Sequence, residues 1–198
     1  VCPLGLTVPE FLDGLLSGRS AAGPISLFDS ASLPTRVAAE VRWSGPFRRD
    51  RKVSFALEAA RQALGDAASG GSSPRGSGSV SAGLGLELFS LDDMAEYRAG
   101  RLVPTDAASR MSFVQSPSDI CLHMISQEFG LDSPPAAHVS ACAAGTDAIG
   151  WAFRLVAEGR RDWCLAGGAD SMINPMGVGG FSKIEAMTRR NDDPGAAS

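Results

Sequence analysis

Residues 136–167 change their hydrophobic period twice, and that change constrains the fold more than any other feature of the chain. Residues 136–141 read as a short strand, 143–158 as an amphipathic helix and 162–167 as a second strand. Apolar spacing on the helix predicts Ile149, Ala152, Phe153 and Val156 on its inner face. The turn that joins the first strand to the helix is built from Ala141, Ala143, Ala144 and Gly145 around a single thiol, Cys142.

The same alternation runs upstream. Thr7-Val8-Pro9-Glu10 reads as a capping box with proline in the first turn, and Phe11, Leu12, Leu15 and Leu16 follow at helical spacing until Gly18 stops them. Residues 19–35 read as loop, and Val37 to Trp43 as a short strand. Arg51 to Ala68 reads as a helix with Val53, Leu57, Ala60 and Leu64 on one face. A flexible low-complexity loop at 69–78 precedes a small-residue strand, Ser79 to Leu84. Leu86 to Ala99 and Ser118 to Phe129 read as helices, the second capped by Ser116 or Ser118. Residues 167–180 read as a Gly/Pro-rich segment, and 189–198 as a polar tail with no closing element. Helices alternating with short strands predict a layered α/β fold, and 198 residues suffice for one domain with a sizeable core.

A net charge of −4 argues against nucleic acid or an anionic membrane as a partner. The four cysteines, Cys2, Cys121, Cys142 and Cys164, show no ligand spacing, so no metal site is expected. They are too sparse for a disulfide framework, which favours a reducing, cytoplasmic compartment. No apolar run approaches membrane-spanning length, and no secretory signal is visible.

Cys142 carries the functional reading. A helix start presents unpaired N–H groups, and such a position favours thiolate over thiol. Small neighbours admit a bulky acyl group, and the Cys142 amide is one candidate oxyanion donor. Packing as a small hydrophobe is the competing reading, and it dominates for Cys2, Cys121 and Cys164. His138 lies four residues before Cys142, about 13 Å away along a strand, too far for a direct base. His123 sits on the preceding helix, packed or in solvent. A cysteine hydrolase needs a partner histidine, and none follows Cys142.

The segment Val139-Ser-Ala-Cys-Ala-Ala-Gly-Thr-Asp-Ala-Ile-Gly150 resembles the nucleophile segment of β-ketoacyl synthases, the condensing enzymes of fatty-acid and polyketide assembly. The resemblance extends through Ala166-Gly-Gly-Ala-Asp170, Pro175-Met-Gly-Val-Gly-Gly-Phe181 and Thr188-Arg-Arg-Asn-Asp-Asp-Pro194, and upstream through Pro3-Leu4-Gly5 and Phe28-Asp29. It covers nearly the whole chain. It implies a thiolase-like α/β fold, of which residues 1–198 are the N-terminal half of a layered α-β-α-β-α architecture, incomplete, without the first strand and the whole second half.

The resemblance further implies that Cys142 accepts an acyl group from a carrier-protein thioester and then takes part in decarboxylative condensation with malonyl-carrier. The second step needs two histidines that the family carries in its second half, so the 198-residue chain alone is predicted not to condense. Phe181 matches an aromatic that borders the acyl pocket, with a buried core phenylalanine as the alternative. Arg48, Arg49, Arg51 and Lys52 fall where relatives dock an acidic acyl carrier protein; a solvated helix start is the alternative. Glu185 stands where some relatives carry a basic docking residue.

No cofactor is implied beyond the phosphopantetheine arm of the carrier. Partners implied are acyl and malonyl thioesters, and a second copy or a chain-length factor paired through strand 136–141. A partner-dependent or non-catalytic subunit resembling a chain-length factor is the alternative function. Gly145-Thr-Asp147 and Asp170 to Pro175 resemble polyketide or polyene ketosynthases, whereas Pro117-Ser-Asp119 differs from the fatty-acid elongating pattern.

Overall fold

The computed structural model describes residues 1–45, 51–70, 74–85, 99 and 119–196. The chain divides into two compact units. The first joins Val1–Pro46 to Met172–Ser198, and the second is Phe47–Ser171.

In the first unit, helix α1 (Val8–Leu16) begins as its sequence predicts. Thr7 Oγ1 accepts from the Glu10 N–H at 3.4 Å, while the Glu10 carboxylate accepts from the N–H groups of Thr7 at 3.1 Å and Leu6 at 2.7 Å. Residues 19–35 are not all loop. Strand β1 (Ala22–Pro24) pairs antiparallel with β2 (Val37–Ala39), which is shorter than the strand expected through Trp43. The segment read as Gly/Pro-rich contains helix α5 (Pro175–Lys183). Asn174 caps it by accepting from Gly177 N–H at 2.9 Å, and Pro175 opens it. Gly177 is required: a Cβ there would stand 2.1 Å from the Met172 carbonyl oxygen.

The polar run at the C-terminus is tied to the ribbon. Asn191 accepts from Arg36 N–H at 2.7 Å and donates to the Pro34 carbonyl at 2.9 Å, while the buried Thr35 hydroxyl donates to the Thr188 carbonyl at 2.6 Å.

The second unit is a three-layer sandwich. Its sheet has the order β4-β3-β5, all parallel, with β3 (Gly78–Leu84) between β4 (Ala136–His138) and β5 (Trp163–Ala169). The alternation of β3 decides the layers. Val80 and Leu84 join Val53, Leu57 and Ala60 of α2 (Arg51–Ser69) and Cys121, Leu122 and Ile125 of α3 (Ile120–Glu128) in one buried cluster. Leu64 is only partly buried. Ser81 and Gly83 point to the other face, which α4 (Ala144–Ala157) covers on its way from β4 to β5. Asp119 occupies the N-cap position of α3 and makes no side-chain cap bond there; Ser116 and Ser118 lie outside the described residues, as does most of 86–99. Of the loop 69–78, residues 71–73 are not described, and Ser77 is anchored, its N–H donating to the Asp162 carboxylate at 2.7 Å.

Of the four residues that apolar spacing places on the inner face of α4, only Ala152 is buried. Ala144, Ala148, Ala152 and Leu155 are buried, whereas Ile149, Phe153 and Val156 are exposed, Phe153 at 71%. The cause is close approach. A Cβ on Gly83 would lie 2.4 Å from the Ala144 carbonyl carbon, so the helix rests nearly on the strand backbone and only small side chains fit between them.

Candidate active site

Cys142 sits in one turn of 3-10 helix, Ala141–Ala143, that leads from β4 directly into α4. It is exposed, while Cys121 is buried and Cys2 and Cys164 are partly buried. Packing as a small hydrophobe is therefore excluded for this thiol within the chain. The Ala143 N–H donates to Ser140 O at 3.2 Å, and the Ala144 N–H donates to Ala141 O, so the tight turn closes on its own backbone.

The residue before the thiol is strained. Ala141 has φ 52, the left-handed region, which costs a residue with a Cβ about 1–2 kcal/mol. Such strain persists where the surroundings over-determine it. Two features hold this turn. From below, Gly83, in register with Gly168 of β5, admits the backbone of Ala144 and Gly145. From above, the Ser140 hydroxyl donates to the Asp147 carboxylate, which sits in the first turn of α4. None of these four residues was identified from the sequence, although the alternation of small residues in 79–83 and 166–168 was a usable signal.

His138 is engaged elsewhere. The buried Ser81 hydroxyl donates to the Ala148 carbonyl at 3.0 Å. With its one proton committed there, Ser81 Oγ accepts from His138 Nε2–H at 3.0 Å, which fixes the imidazole tautomer. The ring also lies beside Trp151, at 6.4 Å between centroids, and the Arg154 guanidinium stands over the same tryptophan, 5.6 Å from its ring centre. His123 is exposed and pairs with Asp119 on its own helix at 3.3 Å. Neither histidine is placed as a base for Cys142. Burial pushes the Cys164 thiol upward, with Arg161 pulling weakly the other way. Among the described residues no cluster of side chains could hold a metal ion, and no helix is long and apolar enough to cross a membrane.

The predicted basic run is reduced by the structure. Lys52 is fully buried, because the first turn of α2 is enclosed at Lys52, Val53, Ser54 and Phe55 alike, so its ammonium offers no docking surface. Arg51 is partly buried, with its guanidinium 5.7 Å from the Phe55 ring centre. Arg48 and Arg49 lie outside the described residues. Phe181 is on α5 in the first unit and is 40% exposed within this chain. Glu185 has φ 57 and stops α5: it takes the left-handed position after the helix, and the Ala186 N–H donates back to Phe181 O at 3.1 Å.

The exposed cysteine thus stands at a strand-to-helix turn of a parallel α/β sandwich. Comparison with known proteins is specific. The family model described as Beta-ketoacyl synthase, N-terminal domain, matches residues 1–198, and the chain belongs to that family. It is 33% identical to 3-oxoacyl-[acyl-carrier-protein] synthase 2 of Coxiella burnetii over 100% of this chain and 50% of the relative. Among solved structures, a beta-ketoacyl synthase from Burkholderia phymatum STM815 matches with a TM-score of 0.80 at 27% identity, over 100% of this chain and 51% of that one. The ishigamide ketosynthase/chain length factor matches with a TM-score of 0.72 at 25% identity, over 93% of this chain and 48% of that one. The chain thus spans about half the length of the relatives it matches. Its fold is the thiolase-like ketosynthase fold, as an N-terminal half.

Proposed function

We propose that Cys142 is the acyl-accepting nucleophile of a β-ketoacyl-acyl-carrier-protein synthase. The observation that carries this is the exposed thiol in a strained turn at the start of α4, within a chain of the β-ketoacyl synthase family. In the first step the Cys142 thiolate attacks the carbonyl carbon of an acyl thioester. The new S–C bond forms through a tetrahedral oxyanion, with the Cys142 amide as one donor, and the carrier thiol leaves as thiolate. In the second step malonyl-carrier loses CO2, and the resulting carbanion attacks the acyl carbon. The S–C bond to Cys142 then breaks and β-ketoacyl-carrier is released. That step is proposed to need further proton-handling groups, a reading supported among the described residues by the bond of His138 to Ser81 and the pairing of His123 with Asp119.

No cofactor beyond the carrier's own phosphopantetheine arm belongs to this reading, and the compartment is a reducing cytoplasm. Arg48, Arg49 and Arg51 remain the residues proposed to meet an acidic acyl carrier protein, and Phe181 is proposed to border the acyl chain. The edge position of β4 supports pairing with a second copy or a chain-length factor through that strand. The likeness to a ketosynthase/chain length factor supports the second reading, a partner-dependent subunit.

The test is acyl loading. The protein at its natural length is mixed with an acyl-carrier thioester and digested, and the acylated peptide is mapped by mass. Acylation at Cys142 that is lost in Cys142→Ala supports the synthase. Loading that survives Cys142→Ala overturns it, and no loading without an added partner favours the subunit reading.

A further inference from the structure

The Ser140–Asp147 hydrogen bond joins residues seven apart on either side of Cys142. Ser140 does not cap the 3-10 turn that follows it, so its hydroxyl is free for this bond. Asp147 lies in the first turn of α4, where a carboxylate is favoured by the helix field whether or not it is bonded. The bond therefore adds something the helix does not need: it closes the segment 140–147 into a loop, with the left-handed Ala141 and the exposed Cys142 inside it. Beneath the loop the turn has no side chain to grip, because Gly83 meets Ala144 and Gly145 backbone to backbone.

We propose that Ser140 and Asp147 are positioning residues. Their side-chain bond holds Ala141 in its left-handed conformation and so fixes the direction of the Cys142 thiol. This rests on Cys142 being the reacting group, as above. It requires a hydroxyl at 140 and an acceptor at 147, and it acts through the thiol rather than on the acyl group.

The experiment is a set of variants in the protein at its natural length: Ser140→Ala, Ser140→Thr, Asp147→Ala, and the double Ser140→Ala/Asp147→Ala. Each is read by the alkylation rate of Cys142 with iodoacetamide, located by peptide mass, beside a thermal melt. Ser140→Ala and Asp147→Ala are each expected to slow alkylation roughly five- to tenfold, the worth of one solvent-exposed hydrogen bond expressed as a rate. The double variant should be no slower than either single one, and Ser140→Thr should restore the parental rate. Melts should shift little, since both side chains are exposed.

Unchanged or faster alkylation in Ser140→Ala overturns the proposal. So does a double variant whose loss is the product of the two singles, or Ser140→Thr as slow as Ser140→Ala. A pure charge effect of Asp147 on the thiol would appear in Asp147→Ala and not in Ser140→Ala, which also overturns it. Failure of the synthase reading shows separately, as absence of acyl loading in the parent protein.

Discussion

Gly83→Ala puts a single methyl group where the structure has least room for one. Its Cβ would stand 2.4 Å from the Ala144 carbonyl carbon, 2.5 Å from Gly145 N and 2.7 Å from Ala144 O. All three are backbone atoms, so no side chain can swing away. Ordinary contact begins near 3.4 Å, so the start of α4 must retreat by about 1 Å, a shift that at a reacting centre can cost on the order of 10²-fold in rate. Overpacking of this kind destabilises by about 1–3 kcal/mol, which for a chain of this size lowers the melting temperature by roughly 3–10 °C. The control is Gly167→Ala, one residue from the Gly168 that pairs with Gly83, where an added Cβ meets nothing within 4 Å. Both variants are compared with the parent by thermal melt and by the rate of Cys142 alkylation well below the melting temperature. Gly83→Ala should lose stability and reactivity together, and Gly167→Ala should keep both. A Gly83→Ala protein that melts and reacts like the parent, or a Gly167→Ala protein equally damaged, refutes the claim that backbone contact at Gly83 sets the position of the thiol.

Four other outcomes follow from the same structure. At pH 8 Cys142 should alkylate at least about tenfold faster than Cys164, whose thiol is pushed up by burial, and Cys121 should react only on unfolding; quantitative peptide mapping decides. Ala141→Gly removes the left-handed penalty and should raise stability by about 1 kcal/mol in urea unfolding, a gain that would not appear if φ at this position were ordinary. Asn174→Ala should cost about 1 kcal/mol through loss of the α5 cap, with Asn174→Asp retaining most of it. The Glu58 carboxyl is held below its usual range by the hydrogen bond from Arg61, with Gln62 adding to it, so this contribution is present above the unfolded carboxylate range and is lost as pH falls through the lower folded value. Glu58→Gln should accordingly flatten the acid limb of the stability profile slightly, the effect being small because the partner is exposed.

What the sequence revealed was governed by how local the cause is. The α1 capping box is a four-residue device, and both its hydrogen bonds are present. The helix α5 carries an equally local start signal in Asn174-Pro175, but Gly177, Gly179 and Gly180 mask it. At least one of those glycines answers to a tertiary contact, the Met172 carbonyl against Gly177, which no window of sequence displays. Lys52 errs in the same way: four cations beside one another suggest a solvated patch, yet whether an individual side chain faces outward depends on what encloses the first turn of α2. Cys142 itself was legible because a strand, a small-residue turn and a helix are contiguous. Its neighbours were not identified: the small residues at 79–83 and 166–168 were a signal for Gly83 and Gly168 that was not used, and the Ser140–Asp147 bond spans an irregular turn that no hydrophobic period displays.

The reversed face of α4 shows which further rule would have helped. Apolar periodicity finds two stripes on this helix, a small one at Ala144, Ala148 and Ala152 and a large one at Ile149, Phe153 and Val156, and period alone ranks the larger as the inner one. The sheet decides otherwise, because its α4 face presents Ser81 and Gly83 on β3 beside Ala166 and Gly168 on β5. Over β3 the helix comes within contact of the strand backbone at Gly83, and it can do so only on its small face, while Ala166 and Gly168 on β5 stay exposed. Small must therefore meet small, and this matching was readable from the alternation in 79–83 and 166–168 without any structure. The same matching leaves the large stripe of α4, Ile149, Phe153 and Val156, facing outward, with Cys142 exposed in the 3-10 turn that precedes the helix.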